Sequence, residues 1–152
     1  MRGKTVTIIA ATAVAGALDI AMAFLLSSAP PAQVLRSVAS GPFGSGMREG
    51  GAAAALLGLV VHFAIMAVMV AVFVFVTARR PRLLDRPLAI GVGYGLLLYL
   101  VMYWIVLPLR WPAIFPITDT TEVAKALFAH LALVGAPIAL ITARFRKSPA
   151  VG

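Results

Sequence analysis

The chain contains no cysteine. Disulfides, thiolate metal sites and thiol redox chemistry are therefore excluded. Charge is scarce as well. Charged residues make up 12% of 152, and only five of them are acidic. A soluble domain carries about a quarter charged residues, so a water-facing surface is not what this composition supports. Histidine occurs only twice, which leaves no ladder of histidine-held cofactors across a membrane. Runs of short alternating strands are missing, and so is any repeat of 20–50 residues, which sets aside barrels and solenoids.

What the chain has instead is grease. Hydrophobic residues reach 62% and the mean hydropathy is +1.02. They gather into runs near the roughly 20 residues that cross a bilayer. Four runs are read, at 5–26, 52–76, 88–107 and 123–143. Backbone in lipid must satisfy itself, so these are expected as helices. The expected fold is all-α: an integral membrane four-helix bundle forming one domain over 1–152. With so little water-exposed mass, the chain has little room for an enzyme of its own.

The net charge of +8 is topological and does not signal nucleic acid. Arg2, Lys4, Arg79, Arg80, Arg82, Arg86, Arg144, Arg146 and Lys147 fall at one end of the spans. Arg36, Arg48, Arg110 and Lys125 fall at the other, with Glu49, Asp119 and Glu122. Positive residues accumulate on the cytoplasmic side, so the first end and both termini are expected inside. Arg48, Arg79, Arg80 and Arg82 are candidates to touch anionic lipid headgroups. Arg2 and Lys4 before an apolar run imitate a signal peptide, but Asp19 interrupts that run and Pro30 follows the small residues at 27–29. The first span is expected to be retained.

The connections carry their own signals. Pro30 and Pro31 open a short helix through Ala39, with Val34, Leu35 and Val38 as its apolar stripe and Arg36 facing water. It reads as an interfacial helix on the outer leaflet, broken by the glycines and proline of 41–46. Asp85 is positioned to cap the third span and Pro87 to start it. Pro108, Pro112 and Pro116 lie among Trp104, Trp111 and Phe115, rings that suit the headgroup level. Asp119 with Glu122 resembles a capping box for the fourth span. Pro137 deprives the Leu133 carbonyl of its partner and predicts a kink.

The polar residues inside the spans fall in register. Asp19 stands nine positions from Ser28, His62 eleven from Gly51, His130 nine from Thr121, and Tyr99 nine before Pro108. At 1.5 Å per residue all four lie roughly 13–17 Å deep, near mid-membrane. Ionisable groups there cost several kcal/mol unless paired or in a wet cavity. Gly16, Gly58, Gly91, Gly95 and Ala126 lie along the same faces, and small residues mark helix–helix contacts in membranes. Asp19, His62, Tyr99 and His130 are thus expected to converge inside the bundle.

Four uses fit such a layer. It can be a satisfied hydrogen-bonded network that fixes helix register. His62 and His130 can be axial ligands of one b-type haem. Asp19, His62 and His130 can hold iron or zinc as two imidazoles and a carboxylate. The layer can also relay protons or pass a small solute, though inverted repeats are missing. Met66 and Met69 read as core filling, and Tyr94 and Tyr103 as packing or interface residues. Gly91 to Gly95 reads as a close helix contact, since no strand precedes it. The leading expectation is a non-enzymatic membrane protein that binds a small ligand at this layer or serves as an accessory subunit. Small-residue faces beyond one bundle's needs suggest a second copy or a larger complex.

Residues 15–20, 34–41, 49–63 and 130–140 carry a resemblance. In order and spacing they are similar to a group of small bacterial four-span inner-membrane proteins of uncharacterised function. The resemblance runs from Ala15 to Arg146. It implies a bacterial inner-membrane location and carries no activity or site residues with it.

Overall fold

The computed structural model describes residues 2–147 and is all-helical over them. Four helices are long and apolar enough to cross a membrane: Gly3–Leu26, Ala52–Arg79, Pro87–Arg110 and Thr120–Arg146. The apolar core of the last is 44% buried, against 22% for each of the others, so it forms the axis of the bundle. Helix α1 (Arg2–Leu26) packs on that axis and on α3 (Ala52–Arg79). Helix α4 (Pro87–Val101) packs on the other side of the axis. A shorter helix, α2 (Pro31–Phe43), lies against the first half of α3.

The two ends of the bundle differ. On the near face, Lys4 sits 5.7 Å from the Phe75 ring centroid, and Arg146 donates to the Pro81 carbonyl. Asp85 does not cap α4 as its position suggested; it meets Arg146 at 3.4 Å, and Arg86 takes the cap position without a side-chain bond. The near half holds the packed core, including Ala11, Val70, Phe73, Val74, Ile138 and Ala139. Tyr94 donates to the Met69 carbonyl at 2.7 Å and so ties α4 to α3 there. The far face carries α2, the 3₁₀ turn Ser45–Glu49 and the connection before Asp119.

Two prolines inside spans are absorbed by widened helix rather than by breaks. A π-helical turn, Met102–Val106, precedes α5 (Leu107–Arg110), which contains Pro108. A longer π-helical segment, Ala129–Gly135, joins α6 (Thr120–Phe128) to α7 (Ala136–Lys147), which contains Pro137. A proline leaves a carbonyl one turn back without its N–H partner, and π turns inside helices re-pair such groups. The third span therefore continues past Pro108 to Arg110 rather than stopping at 107. Helix α6 starts where Asp119 Oδ1 accepts from the N–H groups of Thr121 and Glu122, each at 3.0 Å. Glu122 does not complete a capping box; it pairs with Lys125 at 2.7 Å.

Close backbone contacts hold the spans in place. A Cβ on Gly135 would strike the Gly91 carbonyl and the backbone of Gly95, and one on Gly95 would strike the His130 carbonyl. Gly58 serves a different contact from the span-to-span packing expected of it. It lies against the Leu35 carbonyl of α2. Helix α2 also runs past Gly41 and Pro42 to Phe43. Its last carbonyls are capped by Arg110, which donates from Nε to Gly41 at 2.7 Å and from Nη2 to Ser40 at 2.9 Å. A cation at a helix C-terminus satisfies orphan carbonyls and opposes the helix dipole.

Candidate functional site

Outward from the Tyr94–Met69 tie, a cavity of about 660 Å³ stands between α3 and the third span. Its walls are mostly apolar: Val61, Ala64, Ile65, Met66 and Met69 from α3, Met102, Val106 and Leu107 opposite. Val38, Pro42 and Phe43 of α2 bound it on the far side. Ala64, Ile65 and Val106 are exposed residues of the lining, so the cavity is open rather than enclosed.

The polar part of the wall comes from four elements. Asp19 on α1, His62 on α3, Tyr103 in the first π turn and His130 in the second all line the cavity. His62 Nε2–H donates to the Gly16 carbonyl at 2.9 Å, one turn from Asp19. His130 Nδ1–H donates to the Ala126 carbonyl, also at 2.9 Å. A carbonyl only accepts, so the bonded nitrogen of each ring is the donor, and the other nitrogen makes no bond to a backbone carbonyl. Asp19 interacts electrostatically with both imidazoles, yet among the described residues nothing donates a hydrogen bond to its carboxylate.

Tyr99 stands one layer behind. It is only 5% exposed and stacks on Tyr103 with centroids 5.0 Å apart and planes 22° apart. His130 meets both rings edge-on, at 6.0 Å from Tyr99 and 5.6 Å from Tyr103. Depth and helical face point to Tyr99; Tyr103, on the same face one turn on, is the phenol in the cavity wall. Arg110 and Trp111, which also line the cavity, carried no signal beyond an interfacial position.

A second cavity of about 370 Å³ shares Asp19, Tyr103 and His130 with the first. It continues toward the far face past Met22, Ala23, Ser27, Glu122 and Lys125. The three shared residues therefore form a partition with an apolar space on one side and a polar one on the other.

The geometry bears unequally on the cofactor readings. Among the described residues, no three His, Asp or Glu side chains gather closely enough to hold a metal ion. Asp19, His62 and His130 do not form such a group. The bond to the Gly16 carbonyl occupies one of the two nitrogens that His62 could offer a haem. Of the candidate headgroup residues, Arg79, Arg80 and Arg82 are exposed on the near face and Arg48 on the far face. Comparison with protein-family models, with curated proteins and with solved structures finds no match to this chain.

Proposed function

We propose that this protein is a multi-pass membrane protein that holds a small, membrane-dissolved ligand in the cavity between α3 and the third span. The ligand would meet Asp19, His62, Tyr103 and His130, with Tyr99 buttressing Tyr103. One observation carries the reading: four polar side chains from four elements line a single open apolar cavity. Its volume falls within the roughly 300–1,000 Å³ of small-molecule sites. By the positive-inside rule the basic near face would be cytoplasmic, with both termini inside, and the resemblance noted in the sequence supports a bacterial inner membrane. Helix α2, docked on α3 where the Leu35 carbonyl meets Gly58, would lie at the outer headgroup level. The role is binding, alone or as a subunit of a larger membrane complex.

Ala64→Trp tests this. Ala64 is exposed at the cavity mouth, so the indole plugs the opening without entering the packed core. Native mass spectrometry of the wild type should show a retained non-protein mass, and the variant should lose it by about tenfold or more. A wild type that retains nothing would overturn the reading.

A proton or small-solute pathway is the second reading, favoured by the two cavities meeting at Asp19, Tyr103 and His130. The chain has no cysteine of its own, so single cysteines report cleanly. Ala23→Cys, in the polar cavity, should react with a membrane-impermeant maleimide about tenfold faster than Val60→Cys, since a thiol needs water to ionise. Equal rates would remove the aqueous arm. Val60 is 58% exposed on the outside of α3 and faces lipid in this reading.

A further inference from the structure

Three arginines are linked around the C-terminal half of α2, and one of them, Arg110, lines the cavity. Arg36 donates from Nε to the Arg48 carbonyl at 3.0 Å. Arg48 reaches the Ser40 hydroxyl at 3.4 Å, and Arg110 caps α2 through the Ser40 and Gly41 carbonyls. The Trp111 ring neighbours the last two, its centroid 5.9 Å from the Arg48 guanidinium carbon and 5.4 Å from that of Arg110. The ion pairs among the described residues are Lys125–Glu122 and Arg146–Asp85, so none of these three cations has a carboxylate partner. Glu49, next to Arg48 in the chain, pairs with none of them.

Like charges repel, and the repulsion grows as water thins toward the membrane. The fold nevertheless fixes all three by their Nε atoms, to α2 or to the turn that follows it. Nε-anchored guanidiniums keep donors to offer elsewhere, and arginine suits oxyanions such as phosphate. Arg110 and Trp111 also line the apolar cavity, so the cationic cluster and the greasy space are continuous. Positive charge at headgroup level above an open apolar slot complements one kind of molecule.

We propose that the occupant of this cavity is an anionic phospholipid, its phosphate held by Arg48 and Arg110 with Arg36 behind them, and one acyl chain in the slot between α3 and the third span. This rests on the cavity being a ligand site, and names the class of ligand. Trp111 sits at the junction of head and tail, where aromatic rings favour a half-apolar setting.

The test uses the full chain in vesicles of phosphatidylglycerol and phosphatidylcholine in equal amounts, followed by gentle detergent release and native mass spectrometry. The wild type should retain phosphatidylglycerol over phosphatidylcholine by about tenfold or more. Arg48→Gln combined with Arg110→Gln should reduce that preference to about twofold or less. Arg110 also holds α2, so Arg48→Gln alone is the second variant; it removes a charge while breaking only one long hydrogen bond, and should lower the preference without loosening α2. Arg86→Gln, which removes one charge on the opposite face, should leave the preference unchanged. Inorganic phosphate at about 10 mM should not release the lipid, because a chain seated in the slot binds through its apolar length. Equal retention of both lipids by the wild type, or a preference that survives the arginine variants, overturns the headgroup assignment. A change of similar size in Arg86→Gln overturns it in favour of overall charge. Release by phosphate overturns the lipid in favour of a free-anion site. If the two lipids are retained equally but Ala64→Trp still empties the cavity, the headgroup assignment alone fails. If nothing is retained in any form, the cavity reading fails with it.

Discussion

Gly95→Ala should destabilise the bundle by about 2 kcal/mol, while Gly93→Ala, two residues away on the same helix, should not. The difference lies in what each new methyl group meets. At Gly95 it would fall on the His130 carbonyl and 2.8 Å from the Leu131 Cα. Those are backbone atoms, which cannot swing aside as a flexible side chain can. Overpacking of this kind costs about 1–3 kcal/mol, and the backbone contact places it at the upper end. The better helix propensity of alanine returns up to about 1 kcal/mol of that. At Gly93 nothing lies within 4 Å, so the propensity gain stands alone. Thermal unfolding in detergent should put Gly95→Ala roughly 4–8 °C below wild type and Gly93→Ala level with it or above. The same displacement moves the His130 segment from α4, and with it the edge-on contacts to Tyr99 and Tyr103. Equal melting temperatures for the two variants would show that α4 and the π-helical segment do not meet through these glycines.

That contact also marks the limit of what the sequence made legible. The four spans follow from apolar runs that only helices can carry through lipid, and Asp119 announces the start of the last one by its type and place. The three layer residues Asp19, His62 and His130 were found by counting depth, and they do line one cavity. Gly135 was not found. It stands five positions from His130, and a 3.6-residue period puts those two on different faces. The π-helical segment Ala129–Gly135 changes the period, and nothing in the run of apolar letters signals it except the proline that follows. Tyr103 was passed over for Tyr99 for a related reason. Depth favours Tyr99, the two share a face, and the π turn at Met102–Val106 begins between them. The docking of α2 was hidden as well. Gly58 has the spacing of a span-to-span contact, but its partner is the Leu35 carbonyl of a helix outside the spans. Arg110 could be placed at an interface by its neighbours, whereas its bonds to Ser40 and Gly41 join residues some seventy positions apart.

Asp19→Leu should make the protein more stable and leave it unable to retain ligand, and the opposite signs separate a functional carboxylate from a structural one. An aspartate at mid-span costs about 2.5–3.5 kcal/mol relative to water on insertion scales. A structural role would recover that cost through hydrogen bonds. Here the carboxylate receives none among the described residues and lines both cavities. The imidazoles that interact with it have each committed their proton to a backbone carbonyl instead. Replacing buried charged groups with well-packed hydrophobic ones is often neutral or stabilising, by up to about 4 kcal/mol. About 2 kcal/mol is expected for Asp19→Leu, read as a melting temperature roughly 4–8 °C higher. Asp19→Asn serves as the paired variant: it keeps the shape and removes the charge, so it should also lose ligand while moving stability less. Sites that hold a strained or uncompensated group for function show this exchange, in which stability rises as activity is lost. A fall of the melting temperature in both variants would mean that Asp19 fastens the helices together, and the polar partition would then be a register device with no ligand to meet.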